Sequence, residues 1–386
     1  MPIDPRDIAI CTSAGEAAPD DFGSMAPPIV QTSLFSLPTF RELLDALADE
    51  DDHYVYTRGQ NPTVAHVERQ LAALERGDRC KCFGSGMAAI SAVLMGLLES
   101  GDHVLFINQI YGPTLQLANH LQRFGITHDV TYDRSIESIA SAVKENTRLV
   151  WMESPSTMLF RMLDVPAVAA LASERGLVSV MDNTWSTPLF QKPIEVGVDI
   201  VVHSLTKYVG GHSDVVAGAV ITSARLMEQI FYRAFMLNGG ILGPFDAWLL
   251  ARGIRTLPIR LERHQSNALA VAEFLSQHAS VRRVFHPALD PEDRDLAASQ
   301  LAGYSGLLSF ELATDEFAAV ADFIDGLKMF RIGVSWGGFE SLVVSPNRGD
   351  NGDSLAAQGI PPGLVRLSVG LEDADQLKKD LAQALS

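Results

Sequence analysis

The chain has 386 residues, 47% hydrophobic, 8% aromatic and 20% charged, which excludes collagenous, disordered and disulfide-scaffold classes. Its 47 Asp plus Glu against 30 Lys plus Arg give a formal net charge of -17, a sign that opposes phosphate backbones and anionic lipid. Three cysteines, Cys11, Cys80 and Cys82, cannot build a disulfide framework and lack the spacing of structural zinc, so no metal site is expected.

Asp4, Arg6 and Asp7 stand where a signal peptide would carry basic and then apolar residues, so a reducing cytoplasm is the expected compartment. The first ~50 residues are rich in Pro, Asp and Ser and show little periodicity before 40–47, predicting an arm laid over another surface. Asn61-Pro62 then predicts a capped helix start, Val64, Val67, Leu71 and Leu74 recur at helical spacing, and Gly77 is the expected stop. The longest uncharged apolar run, 83–98, is shorter than the ~20 residues of a membrane span. Short apolar runs at 79–83, 103–108, 149–153, 178–182 and 198–204 alternate with helical segments, notably 87–99 and 113–123. That alternation predicts an α/β fold with a mainly parallel sheet covered on both faces and ligands beyond the carboxyl ends of its strands. After about Leu257 a long helical stretch runs through Leu275, and mixed runs at 306–312 and 363–369 predict a smaller α/β domain.

Three strand ends carry more than packing residues. Gly84-Ser85-Gly86-Met87-Ala88-Ala89 frees backbone N–H groups at the start of a helix, where an anion is favoured. The same letters fit a dinucleotide-binding turn or a plain tight turn. Asp182 ends an apolar strand, as a turn cap or as a functional carboxylate. Beyond the 198–204 run come Ser204, Thr206, Lys207 and Gly210-Gly211-His212-Ser213-Asp214: hydroxyls for an oxyanion beside an amine able to join a carbonyl. Together these are what pyridoxal 5'-phosphate requires: donors for the phosphate, an anion for the ring nitrogen and an amine for the aldehyde.

Ser204-Leu205-Thr206-Lys207-Tyr208 followed by Gly211-His212-Ser213-Asp214 resembles the cofactor-lysine signature of the pyridoxal-phosphate enzymes of cysteine and methionine metabolism, the trans-sulfuration group of fold type I. The likeness runs nearly end to end. It includes Tyr56-Thr57-Arg58-Gly59-Gln60-Asn61-Pro62-Thr63, Gly84-Ser85-Gly86-Met87-Ala88, Tyr111-Gly112-Pro113, Glu153-Ser154-Pro155, Asp182-Asn183-Thr184-Trp185, Arg255-Thr256-Leu257 and Arg366-Leu367-Ser368-Val369-Gly370. The resemblance implies a mainly parallel seven-stranded sheet in a large cofactor-binding domain, 54–253, with a smaller C-terminal α/β domain, 254–386. It also implies an N-terminal arm, 1–53, contacting a neighbouring subunit.

It further implies that Lys207 holds the cofactor and moves the α-proton of the substrate, that Asp182 keeps the ring nitrogen protonated, and that Tyr111 stacks on the ring and assists proton transfer. Gly86 and Met87 amides with Ser204 and Thr206 hydroxyls would hold the phosphate. Tyr56 and Arg58 would reach into the site of a neighbouring subunit, which makes the expected form a homo-oligomer, a tetramer built from dimers that share active sites. Arg366 would grip the substrate carboxylate, with Ser335 and Trp336 beside it.

Within that family, Pro113 in place of the reactive cysteine of methionine γ-lyases points to β elimination. So do the Ser335-Trp336-Gly337-Gly338 loop, similar to that of bacterial cystathionine β-lyases, and Thr157-Met158 in place of Asn-Pro. His203 and Leu205 are closer to γ-type signatures. The expectation is therefore a cystathionine β-lyase, with a γ-lyase or γ-synthase as the alternative. A nicotinamide oxidoreductase built on 84–89 leaves Lys207 unexplained and has no persuasive acidic ribose partner ~20 residues on.

Overall fold

Two sheets organise the chain in a computed structural model that describes residues 3–13 and 24–386. The larger has seven strands: β1 (Arg79–Phe83), β2 (His103–Ile107), β3 (Thr127–Thr131), β4 (Thr147–Glu153), β5 (Val178–Asp182), β6 (Ile200–Ser204) and β7 (Gly218–Thr222), in the order β1-β7-β6-β5-β4-β2-β3. All neighbours from β3 across to β6 run parallel, and β7 is antiparallel to both β6 and β1. The reversal follows from the segment after β6, which passes through Lys207 and doubles straight back.

Alternate residues along each strand feed opposite faces, the period-two geometry of a strand. Val104, Phe106, Trp151, Val180 and Val202 pack on the face covered by the helix Gly86–Leu97. Leu105, Ile107, Val150, Met152 and Met181 pack on the other, under the helix Val165–Glu174. With both faces buried, each such side chain contributes about 1.5–3 kcal/mol. The smaller sheet, β8 (Val281–Phe285), β9 (Leu307–Leu312), β10 (Arg331–Ile332), β11 (Leu342–Val344) and β12 (Leu364–Ser368), has the order β10-β11-β12-β9-β8.

Several sequence expectations need correction in detail. The helix after Asn61 is capped as predicted, with the Asn61 side chain accepting from Thr63 N at 3.0 Å, and its last helical residue is Glu75, two before Gly77. Arg76 takes the left-handed conformation, φ 63°. Gly77 is needed for closeness instead, since a Cβ there would lie 2.4 Å from Ile221 on β7. The long helix does not begin near Leu257; it spans Pro244–Ser276 with Pro258 inside it. This helix, which contains residues 253 and 254, runs from the large sheet to the small one.

Proline 258 lacks the N–H that would meet the carbonyl of Ile254. One turn before it, the Gly253 carbonyl accepts from Arg260 Nη2 at 2.8 Å and from Thr256 Oγ1 at 3.2 Å. Arg260, buried, also donates to the carbonyl of Tyr208 at 2.6 Å, and a Cβ on Gly211 would strike its guanidinium at 2.1 Å. The helix is thus fastened to the chain immediately after Lys207.

The N-terminal region is more structured than weak periodicity suggests. Asp4 caps a helix, Pro5–Thr12, with proline at its first position. Its Asp7, fully buried, pairs with Arg76 and Lys192 at 2.7 Å each, and Ile3 and Cys11 join the core of the same chain. Residues 14–23 of the expected arm lie outside the described residues.

Candidate active site

The carboxyl ends of β4, β5 and β6 open on a cavity of about 280 Å³. The corner best suited to an anion is the start of the helix Gly86–Leu97. There the Ser85 side chain caps Ala88 N at 3.0 Å, while the amides of Gly86 and Met87 precede any intrahelical acceptor. Two glycines keep this corner tight. A Cβ on Gly218 would come within 2.3 Å of the Ser85 carbonyl oxygen, and one on Gly86 within 3.1 Å of Ser204 Oγ.

Asp182 ends β5 beside Glu153 at the same register of β4. Burial raises the Asp182 carboxyl above the ordinary range, against hydrogen bonds from Thr184 and the pull of His203 and Lys207. Its Oδ1 accepts from Thr184 N at 3.0 Å and from the Thr184 hydroxyl, whose oxygen in turn accepts from Ser204 N at 2.9 Å. Behind it His203 Nε2 meets Glu75 Oε1 at 2.5 Å, and Asn183 Nδ2 donates to the same oxygen at 2.8 Å. Burial, then the Asp182 charge, raises Glu153 well above its usual value. Glu153 accepts the backbone N–H of Tyr111 at 2.7 Å, fixing where that residue enters the cavity.

Lys207 donates from Nζ to Ser335 Oγ at 2.9 Å and lies 5.5 Å from the centroid of the Trp336 ring. Burial, and next the Arg366 charge, push its amine down to about 8, while Asp182 opposes them. Arg366 on β12 is brought to about 10 by burial. Its Nη2 donates to the Val334 carbonyl at 2.8 Å, and its Nε is buried without a partner. An anion beside it would satisfy that donor.

Of the residues anticipated from sequence, Gly86, Met87, Tyr111, Asp182, Ser204 and Thr206 line this one cavity, as do Lys207, Trp336 and Arg366. Ser335 reaches it through the bond to Lys207. The Thr206 hydroxyl is engaged with the backbone of Ala217, donating at 3.2 Å and accepting at 3.0 Å, so an anion there competes with that carbonyl. Tyr56 and Arg58 do not line the cavity; Arg58 sits 5.3 Å above the exposed Tyr56 ring. Glu153 and Thr184 both stand in recognisable motifs, yet sequence alone assigns neither a role. The missing signal was spatial, because strand pairing puts Glu153 beside Asp182 and β6 against Thr184.

The donors fit pyridoxal 5'-phosphate: unsatisfied helix-start amides, a buried carboxyl lacking a full positive partner, and an amine with a depressed pKa. The family model of Cys/Met metabolism PLP-dependent enzymes matches residues 9–386. The chain belongs to that family. Its enzymes are pyridoxal-phosphate dependent. The chain is 39% identical to an L-methionine gamma-lyase of Fusobacterium nucleatum subsp. polymorphum over 372 residues, 94% of each chain. A cystathionine beta-lyase of Lactococcus lactis subsp. cremoris is equally similar, 39% over 372 residues and 94% of each. Among solved structures, a cystathionine gamma synthase from Xanthomonas oryzae pv. oryzae in complex with aminoacrylate and cysteine superposes with a TM-score of 0.91. It shares 38% identity, covering 98% of this chain and 97% of that one. Relatives of near-equal similarity thus carry three different activities. Among the described residues no helix is long and apolar enough to cross a membrane.

Proposed function

We propose that this enzyme is a carbon–sulfur lyase that eliminates at the β carbon of L-cystathionine or a related cysteine S-conjugate, giving a thiol and aminoacrylate, which water converts to pyruvate and ammonia. The observation that carries the reading is the Ser335–Trp336 loop held against Lys207 and Arg366, since the tryptophan-bearing loop resembles that of bacterial cystathionine β-lyases. Pro113 and Thr157-Met158 support the same side of the choice.

Pyridoxal 5'-phosphate, when bound, supplies the electron sink that makes the α-proton removable. Gly86 and Met87 amides with Ser204 and Thr206 would hold its phosphate, and Asp182 would face its ring nitrogen. Arg366 Nε offers the free donor for the substrate carboxylate. Lys207 Nζ, its amine brought down to about 8, is suited to take a proton from carbon, a role worth ~10²–10⁴ in rate. Tyr111, anchored by Glu153, presents a hydroxyl for the leaving thiol. Tyr56 and Arg58, exposed and outside the cavity of their own chain, would complete the site of a neighbouring subunit, in a dimer or a tetramer of such dimers. Three buried free thiols suit a reducing cytoplasm.

Purified enzyme given L-cystathionine decides the bond cleaved. Pyruvate with homocysteine is expected. Production of 2-oxobutyrate with cysteine would assign the chain to γ cleavage and overturn the β reading.

A further inference from the structure

Lys81 is a charged residue in an apolar strand, 2% exposed, and no step of the chemistry above uses it. It stands on β1, the outer strand of the large sheet, where outward backbone groups must be satisfied by something other than a strand. Glu68 supplies part of the answer, accepting the Cys82 N–H at 2.9 Å. The Lys81 ammonium lies 3.8 Å from Glu68 Oε2 and 2.8 Å from Asp51 Oδ1. It sits 4.9 Å from the centroid of the Phe231 ring. Its third oxygen partner is the carbonyl of Gly59 at 3.5 Å.

Asp51 and Gly59 are the two ends of one loop. Two residues along the strand, Arg79 grips the adjacent Asp52 with both nitrogens, at 2.5 and 2.6 Å. Asp51 through its backbone also accepts from Gln60. The tip of the loop, carrying Tyr54, Tyr56 and Arg58, stands exposed and touches the chain through Phe35 N to Val55 O at 3.0 Å and Thr57 N to Ser33 O at 2.9 Å. The base is therefore held by charge, and the tip by that short backbone pairing, the Thr57 hydroxyl on the Thr32 carbonyl, the Asn61 amide on the Thr57 hydroxyl and the Phe35 ring 5.5 Å from that of Tyr54.

We propose that Lys81 is a positioning residue: its buried ammonium clamps both ends of the 51–59 loop to the sheet edge, presenting Tyr56 and Arg58 to the cofactor phosphate of a neighbouring subunit. The assignment rests on the shared-site reading given above. Without the clamp the chain keeps its own Lys207 cavity intact, because Lys81 contributes nothing to it. What is lost is the half-site lent to the partner.

The test uses Lys81→Met, and Asp51→Asn as a milder variant that leaves the Lys81–Glu68 contact in place, each compared with Arg58→Ala and Lys207→Ala. Lys81→Met and Asp51→Asn should weaken pyridoxal phosphate binding, read by absorbance titration, by about tenfold, the loss of one charge-assisted contact. Each should regain activity when reassorted with Lys207→Ala subunits, since the mixed dimer unites a sound loop with a sound lysine. Wild-type cofactor affinity in both loop-base variants, with Arg58→Ala weakened, overturns the clamp and leaves the shared site standing. Failure of the loop-base variants to recover on mixing, while Arg58→Ala recovers, also overturns it, because the damage then reaches their own cavity. No recovery of Arg58→Ala with Lys207→Ala would instead overturn the shared-site reading itself.

Discussion

The amine of Lys207 shows how position alone sets chemistry. A lysine at a strand end in water stays charged far above neutrality, whereas here burial and the neighbouring guanidinium of Arg366 bring it to about 8. In cofactor-free protein the modification of Lys207 by an amine-directed reagent, followed by peptide mapping, should rise through a midpoint near pH 8. Arg366→Gln removes a positive neighbour and should move that midpoint upward; an unchanged midpoint would show that the guanidinium does not act on the amine. The sequence allowed Lys207, Asp182 and Arg366 to be picked out, because each sits in a recognisable run. It could not show Glu153 holding Tyr111, or Thr184 joining β5 to β6, since those contacts exist only once parallel strands are laid side by side.

At the scale of elements, the corner built from Gly86 and Gly218 depends on how closely the helix Gly86–Leu97 approaches β7. Gly218→Ala would place a methyl group 2.3 Å from the Ser85 carbonyl oxygen and 2.8 Å from Gly86 Cα, contacts that backbone cannot yield cheaply. The expected cost is about 1–3 kcal/mol of stability, together with weaker cofactor binding. Denaturant unfolding and absorbance titration of the variant measure both, and wild-type values in each would refute the packing account. Strands buried on both faces were legible from short, largely apolar runs, and β5 lies at the residues anticipated, as does β1 despite its Arg79 and Lys81. Edge strand β3, Thr-His-Asp-Val-Thr, half faces water and shows no such run. The helix Pro244–Ser276 begins well before Leu257, and the contacts that secure it around Pro258, from Arg260 to backbone 52 residues away, leave no local mark. The opening helix did leave one, Asp4-Pro5, a cap followed by proline.

Across the whole molecule, two buried histidines join the halves. His264, on the long helix, lies 5.0 Å from the Tyr208 ring, and His286, after β8, lies 6.4 Å from Trp185. Burial lowers both to about 4, and each has a buried Nε2 without a partner. A depressed histidine keeps its neutral form in the fold while the unfolded chain takes up protons below pH 6.5. Stability is therefore full above pH 6.5 and is lost as pH falls towards 4, by about 3 kcal/mol for His286. Burial raises Asp182, Glu153 and Glu68, which titrate with the opposite sign, so the informative quantity is a difference. His286→Asn keeps an acceptor for the Ala288 N–H but cannot titrate, and the gap between wild-type and variant unfolding free energies should shift by that amount between pH 6.5 and 4. A constant gap would remove His286 from the account.

The helix Pro244–Ser276 crosses from one sheet to the other without a break and, at its proline, Arg260 holds the carbonyl of Tyr208. A tilt of the C-terminal half at that crossing would load the bond from Arg260 to the Tyr208 carbonyl, one residue beyond the lysine, so the posture of the two sheets and the placing of the amine are coupled through one guanidinium.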